Sequence, residues 1–252
     1  MDKTANLKGR VALVTGSSRG LGAAIATAFA AAGAQVVLHG RDEAALAAVR
    51  ARIGGDVLVV TGDVTDTADL DRMHDQIMAR HGRVDILVAS AGNTTSRPAP
   101  IEDITPESWR ADIEQNLTST FLTVRRFLPG MKERRTGTII TLSSAAGRKP
   151  SERTIVAYAA AKAGLQIFTQ DLAAQAGPFG VRANCIAPET IMTETNQGWI
   201  PADVQQKLAE AHPLRRLGTP EDVAAAALFL ASDASSWITG VIVDVAGGAV
   251  LA

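Results

Sequence analysis

The stretch RVALVTGSSRGLG, residues 10–22, decides the fold. An apolar run ends at Thr15, and Gly16, Gly20 and Gly22 follow at once, ahead of a segment of helical period from 20 to 32. A strand that enters a glycine turn and continues into a helix opens a dinucleotide-binding unit. The spacing here, GxxxGxG, differs by one residue from the usual GxGxxG. Glycine lets the backbone turn tightly and approach a pyrophosphate, while the helix start offers free N–H groups and a positive dipole end. The competing reading is a turn that only packs helix on strand.

The rest of the chain favours the first reading. Further strand candidates are QVVLH (35–39), DVLVVT (56–61), VDILVA (84–89), TIITLS (138–143), VRANCIA (181–187) and VIVDV (241–245). Helical segments fall near 42–53, 67–81, 106–132, 155–177 and 220–231. Apolar strands without alternation are buried on both faces, and their alternation with helices implies parallel pairing with right-handed crossovers. The expected fold is α/β: one doubly wound Rossmann domain spanning 1–252, a seven-stranded parallel sheet with helices on both faces. Thr105-Pro106-Glu107 and Thr219-Pro220-Glu221-Asp222 read as helix starts. The interval 188–218 has no clear strand, so it is expected to be a functional segment over the substrate, with a short helix at Ala202 to Ala211.

Composition removes several classes. A net charge of −1 without a basic stripe argues against nucleic-acid binding. The densest basic cluster, Lys132 to Arg135, is interrupted by Glu133 and reads as a helix end. The single cysteine, Cys185, excludes an internal disulfide framework and a CxxC zinc site, and it reads as a buried inert thiol. The longest apolar run, Val223 to Ala231, is too short to span a membrane, and the N-terminus has no apolar signal core. A cytoplasmic protein without metal or membrane partner is expected.

The strand tips describe a cofactor site. The second ends His39-Gly40-Arg41, so glycine stands where an NAD site usually has Asp or Glu for the ribose hydroxyls. Arg19 and Arg41 can converge instead on a 2′-phosphate, which favours NADP(H) and leaves NAD(H) possible. Asp42 falls one place late and reads as a helix N-cap. Asp63, before Val64, is placed to accept from an adenine amino group or to cap the next helix. Small residues at Ala91 and Gly92 let the backbone pass close to a cofactor.

Tyr158 is the only tyrosine, and Lys162 follows it at i+4 on the same helix face. A phenol near pKa ~10 is a poor acid or base at neutral pH. A nearby ammonium and the helix N-terminus lower that value, which suits proton exchange with a carbonyl or alcohol oxygen. Ser143 and Ser144 end the fifth strand, where open α/β sheets bind ligands, and either can polarise a carbonyl.

Together TGSSRGLG, GDVTD, ASAG, QNLTSTF, IITLSSAAG, YAAAK and VRANCIAPETIMT resemble the short-chain dehydrogenase/reductase family, over residues 8 to 248. The tail from His212 to Gly248 is similar to members with 3-oxoacyl-(acyl carrier protein) reductase activity. The resemblance implies a catalytic tetrad of Asn116, Ser144, Tyr158 and Lys162. Tyr is the acid/base, Ser holds the substrate oxygen, Lys binds the nicotinamide ribose and Asn positions a relay water. Cofactor contacts are implied at Gly16, Ser18, Arg19, Gly20, Leu21, Gly22, Arg41, Asp63, Val64, Ala91, Gly92, Tyr158, Lys162, Pro188, Ile191 and Thr193.

Two departures stand out. The family's Asn-Asn-Ala-Gly reads Ala89-Ser90-Ala91-Gly92 here, and its Pro-Gly reads Pro188-Glu189. The expected activity is hydride transfer between nicotinamide and a small carbonyl or secondary alcohol, enclosed by 188–218, with Met192, Trp199 and Ile200, and by Thr94 to Ile101. Alternatives are an NAD-linked sugar, polyol or cyclic alcohol dehydrogenase, and a non-catalytic NADP-binding regulator. Retention of all four tetrad positions argues against the regulator. The family resemblance also implies a homotetramer.

Overall fold

The computed structural model describes residues 5–151 and 154–250, with the side chain of Trp199 outside the description. Seven strands form one sheet: β1 (Val11–Val14), β2 (Gln35–Gly40), β3 (Leu58–Thr61), β4 (Ile86–Ala89), β5 (Gly137–Leu142), β6 (Val181–Pro188) and β7 (Ile242–Val245). Their order is β3-β2-β1-β4-β5-β6-β7, and every pairing is parallel. The order reverses between β1 and β4, where a crevice opens at the carboxyl ends of the strands.

Between the strands run α1 (Gly20–Ala31), α2 (Glu43–Ile53), α3 (Thr67–His81), α4 (Pro106–Ile113), α5 (Ser119–Glu133), α6 (Val156–Ala176), α7 (Glu194–Trp199), α8 (Ala202–Ala211) and α9 (Pro220–Ala231). Alternate residues of β1 serve two cores. Ala12 and Val14 pack with Ile25 and Phe29 of α1 and Val223 and Leu230 of α9. Val11 and Leu13 pack with Leu70 and Met73 of α3, Phe127 of α5 and Leu172 of α6. Full burial on both faces is why these strands read as unbroken apolar runs.

The expected helix starts hold. Thr105 accepts from the Ser108 N–H, and Thr219 forms a reciprocal capping box with Asp222. The segment expected as one helix over 106–132 departs from that reading: a π turn, Glu114–Thr118, separates α4 from α5. Such a turn inserts a residue into the helical ladder and is frequent at functional sites.

Segment 188–218 carries α7 and α8 and is tied at its base. Ile191 bridges Gly218 in parallel, with the Met192 N–H donating to the Gly218 carbonyl at 2.8 Å. A Cβ at Gly218 would lie 2.4 Å from Ile191 Cδ1, so a larger residue there would have to displace the end of the Ile191 side chain. Among the described residues, no helix is long and apolar enough to cross a membrane.

Candidate active site

The glycine turn is shaped by close backbone approach. A Cβ on Gly16 would sit 2.8 Å from Ala91 Cα, and one on Gly22 would sit 2.3 Å from the Gly16 carbonyl oxygen. Gly16 and Gly20 also have positive φ, 67° and 54°. Arg19 is the N-cap of α1, makes no side-chain cap, and the first turn holds no acidic residue. The helix therefore begins with open N–H groups facing the crevice, a cradle that suits a pyrophosphate. Thr193 approaches from the other wall, its Cγ2 3.5 Å from where a Gly20 Cβ would be.

Support for this turn comes from two residues the sequence did not single out. The buried Thr15 hydroxyl accepts from the Ser90 and Ala91 N–H groups, each at 3.1 Å, and donates to the Val88 carbonyl at 3.4 Å. It braces the strand-four tip where the family's paired amides are replaced by Ala89-Ser90. Buried His39 joins the turn to β2 and to the tip of β3. Neither role has a local sequence signal, because the bonds form between strands adjacent only in space.

At the carboxyl ends of β2 and β3, Gly40 leaves the β2 tip without a side chain, and Ser18 packs beside it. Exposed Arg19 pairs with Asp42 at 3.2 Å, and exposed Arg41 pairs with Asp63 at 3.5 Å. Asp42 caps α2 through the Ala45 N–H, as its position suggests. Asp63 accepts from both the N–H and the hydroxyl of Thr65. Burial would raise its pKa, but the Thr65 bonds and Arg41 outweigh it and hold the carboxyl low. Beside Arg19 opens a cavity of about 590 Å³ whose lining includes Ser18, Ala45, Arg52 and Glu194.

Tyr158, Lys162, Ser143 and Ser144 gather on α6 and the end of β5. Tyr158 lies in the first turn of α6, half-buried, with the Ser144 side chain beside it. The Lys162 ammonium sits 5.4 Å from the Tyr158 ring centroid and donates to the Leu142 carbonyl at 2.8 Å. The two serines divide. Ser143 is buried, donates to the Lys162 carbonyl at 2.7 Å and accepts from Gln166, whereas Ser144 faces Tyr158.

Burial raises the Tyr158 pKa, with the Ser144 bond opposing it, contrary to the lowering expected from the lysine. The ammonium is turned to a carbonyl rather than to the phenol oxygen, and burial lowers its own pKa to about 8. Buried Cys185 is raised by the same desolvation, as suits an inert thiol.

Asn116 reaches this cluster because the π turn aims it inward. Its Nδ2 donates to the carbonyls of Asn93 and Asp112 at 2.7 and 3.0 Å, while its buried Oδ1 has no partner. The position of a Cβ on Gly92 would be 3.0 Å from that oxygen and 3.6 Å from Lys162 Nζ. Gly92, Asn116 and Lys162 thus enclose one small space, and an orphaned buried acceptor beside an ammonium suits a bridging water.

Along the 188–193 wall, Pro188 and Ile191 are buried and Thr193 caps α7 through the Asn196 N–H. Glu189 is half-buried and accepts from the Thr190 hydroxyl at 3.0 Å. The basic cluster lies at the opposite, amino end of the sheet, next to the start of β5. Arg134 and Arg135 donate to the carbonyls of Val84 and Pro178, and Lys132 lies over the Phe179 ring.

A doubly wound sheet with an open glycine cradle at its switch point and a Ser–Tyr–Lys cluster facing it defines a dinucleotide-dependent oxidoreductase fold. The comparisons make the class specific. A family model described as Enoyl-(Acyl carrier protein) reductase matches residues 16–250. A cyclohexanol dehydrogenase from Rhodococcus sp. (strain TK6) is 38% identical, over 96% of each chain. A 3-oxoacyl-[acyl-carrier protein] reductase from Brucella melitensis ATCC 23457 superposes with TM-score 0.92 at 35% identity, over 99% of this chain and 94% of that one. A 7 alpha-hydroxysteroid dehydrogenase complexed with NADH and 7-oxo glycochenodeoxycholic acid gives TM-score 0.92 at 34% identity, over 98% of this chain and 97% of that one. The chain belongs to the short-chain dehydrogenase/reductase family, whose enzymes act on alcohols and carbonyls with a nicotinamide cofactor.

Proposed function

We propose that this chain is an NADP(H)-dependent oxidoreductase of 3-oxoacyl reductase-like chemistry that interconverts a free secondary alcohol and its ketone. The observation that carries the chemistry is the Ser144 side chain beside Tyr158, with the Lys162 ammonium 5.4 Å from the Tyr158 ring. The bound nicotinamide supplies or accepts the hydride. Ser144 and Tyr158 hold the substrate oxygen, and Tyr158 gives it a proton or takes one in reverse. Lys162 binds the nicotinamide ribose and replenishes the proton, its lowered pKa of about 8 being suited to exchange near neutrality. Asn116 Oδ1 holds the water that carries this proton onward.

The glycine turn, Ser18 and Leu21 hold the pyrophosphate side, Asp63 and Val64 the adenine, and Ala91, Gly92, Pro188, Ile191 and Thr193 the nicotinamide half. Segment 188–218 covers the substrate.

NADP(H) preference is supported by the bare Gly40 tip and the flanking Arg19 and Arg41, with Arg52 beside the adjoining cavity. Exposed ion pairs such as Arg19–Asp42 are worth about 1 kcal/mol or less, so a phosphate competes readily for both guanidiniums. NAD(H) is the second reading, favoured by the same two acids already neutralising those arginines. A free substrate is supported by the basic cluster lying at the end of the sheet away from Tyr158. The cyclohexanol dehydrogenase relative makes cyclic secondary alcohols the first panel to assay. The reading includes a homotetramer in the cytoplasm.

The test follows reduced-nicotinamide absorbance with both cofactors over cyclic alcohols, polyols, steroids and 3-oxoacyl esters. Tyr158→Phe is expected to keep cofactor binding and lose turnover. Unaltered turnover refutes the assignment, and a higher kcat/KM with NAD(H) refutes the cofactor preference.

A further inference from the structure

His39 has no place in the chemistry above, yet it is among the most fully engaged buried polar residues near the cradle. Its ring contacts two segments that flank the crevice. The Gly16 N–H points at Nδ1 at 3.4 Å, and Nε2 lies 3.1 Å from the Gly62 carbonyl oxygen. One neighbour is a donor and the other an acceptor. Only the neutral ring with its proton on Nε2 satisfies both, and a flipped ring satisfies neither. The backbone of His39 repeats the link: Ser17 N–H donates to the His39 carbonyl at 2.8 Å, and His39 N–H donates to Ser17 Oγ at 2.9 Å.

Gly16 begins the phosphate turn, and Gly62 immediately precedes Asp63. One imidazole therefore fixes the separation between the turn and the β3 tip, across a β2 strand whose own tip, Gly40, carries no side chain.

We propose that His39 is a positioning residue for the adenosine half of the nicotinamide dinucleotide, acting through the glycine turn and the Gly62-Asp63 tip. The inference rests on the reading that these two segments hold that half, and it applies to NAD(H) and NADP(H) alike. Burial keeps the ring neutral by lowering its pKa to about 4; Asp63 and Asp69 pull the other way, and Arg41 assists. A protonated Nδ1 would confront the Gly16 N–H, donor against donor.

The test compares His39→Phe, which keeps the ring shape without nitrogens, with His39→Gln, which restores one donor and one acceptor. Dinucleotide Kd is read by fluorescence titration with NADH and NADPH, alongside kcat, the alcohol KM at saturating cofactor and thermal melting. His39→Phe is expected to bind both dinucleotides about tenfold more weakly, a loss of ~1.4 kcal/mol. Its kcat and alcohol KM should stay near wild type, and His39→Gln should recover part of the affinity. A uniform fall in stability, kcat and both affinities, without recovery in His39→Gln, assigns His39 a purely structural role and overturns the proposal. Gly22→Ala runs in parallel, because its Cβ would collide with the Gly16 carbonyl. If Gly22→Ala weakens dinucleotide binding and His39→Phe does not, the inference falls and the site reading stands; if neither weakens it, both fall.

Discussion

Thr15→Val removes a hydroxyl and leaves the shape of the side chain almost unchanged. That hydroxyl is the acceptor for the N–H groups of Ser90 and Ala91 at 3.1 Å each, in the stretch where the family's bracing amides are absent. A buried N–H left without a partner costs about 1–3 kcal/mol. The Ser90 N–H keeps a bond to the Val88 carbonyl at 3.1 Å, so only the half-buried Ala91 N–H loses its partner, and the lower end applies, about 1 kcal/mol. For a chain of this size each kcal/mol moves the melting point by about 2–4 °C, so Thr15→Val should melt about 2–4 °C below wild type.

Function should follow, because Gly16 lies against Ala91 so closely that no Cβ fits between them. Loosening residues 89–92 therefore loosens the cradle. The cofactor KM should rise several-fold, while the alcohol KM at saturating cofactor is unchanged. Thr15→Ser is the control: it keeps the hydroxyl and loses one methyl, about 0.8 kcal/mol. Melting and cofactor KM for the three proteins, measured together, decide the matter. If Thr15→Val melts with wild type, or its cofactor KM is no higher than that of Thr15→Ser, the hydroxyl is not the brace.

Three further outcomes are expected. Gly92→Ala places a methyl 3.0 Å from Asn116 Oδ1, so kcat should drop about 10- to 100-fold with little change in melting, as steady-state kinetics beside calorimetry would register. Lys162→Met should lose activity yet be more stable than wild type near pH 7, because wild type buries an ammonium there. Since burial lowers that pKa to about 8 from 10.5, the unfolded chain binds the extra proton between those values. Wild-type stability therefore rises through that window, and the gap between the two proteins should narrow from pH 8 to 10 in paired melting scans. Arg182 donates to the carbonyls of Leu230, Ser232 and Ile238 and to the Thr138 hydroxyl, tying β6 to the end of α9. Arg182→Met should cost about 3 kcal/mol, seen as a lower denaturant midpoint at constant m-value.

The strands were readable because burial on both faces writes itself as an unbroken apolar run, and Gly16, Gly20 and Gly22 were readable because positive φ at the first two and close backbone approach at Gly16 and Gly22 favour glycine. Tyr158 and Lys162 share a helix face by spacing alone. Asn116 was not readable from the residues themselves, since a π turn depends on what the helix packs against, and the polar run QNLTST was its only trace. The Ser143–Ser144 choice needed the third dimension: one hydroxyl is consumed by the Lys162 carbonyl and the other faces the phenol. Thr15 and His39 went unnoticed because their partners lie far along the chain, and hydrogen bonds between neighbouring strands leave no periodic mark.

The bridge between Ile191 and Gly218 pins the two ends of residues 192–217 together, and the Leu214 N–H ties the stretch once more to the Gly247 carbonyl at 3.1 Å. Doubling the length of a flexible excursion whose ends are pinned costs only about 0.6 kcal/mol in closure entropy. Ser144, Tyr158, Lys162 and the glycine turn all lie outside it. With Thr193 against the glycine turn and Leu214 held by Gly247, the part open to exchange is α7 and α8, expected to tolerate rewriting or transplanting from a relative while the sheet keeps its position. On the proposed reading, directed evolution toward new alcohols has one contiguous stretch in which to search.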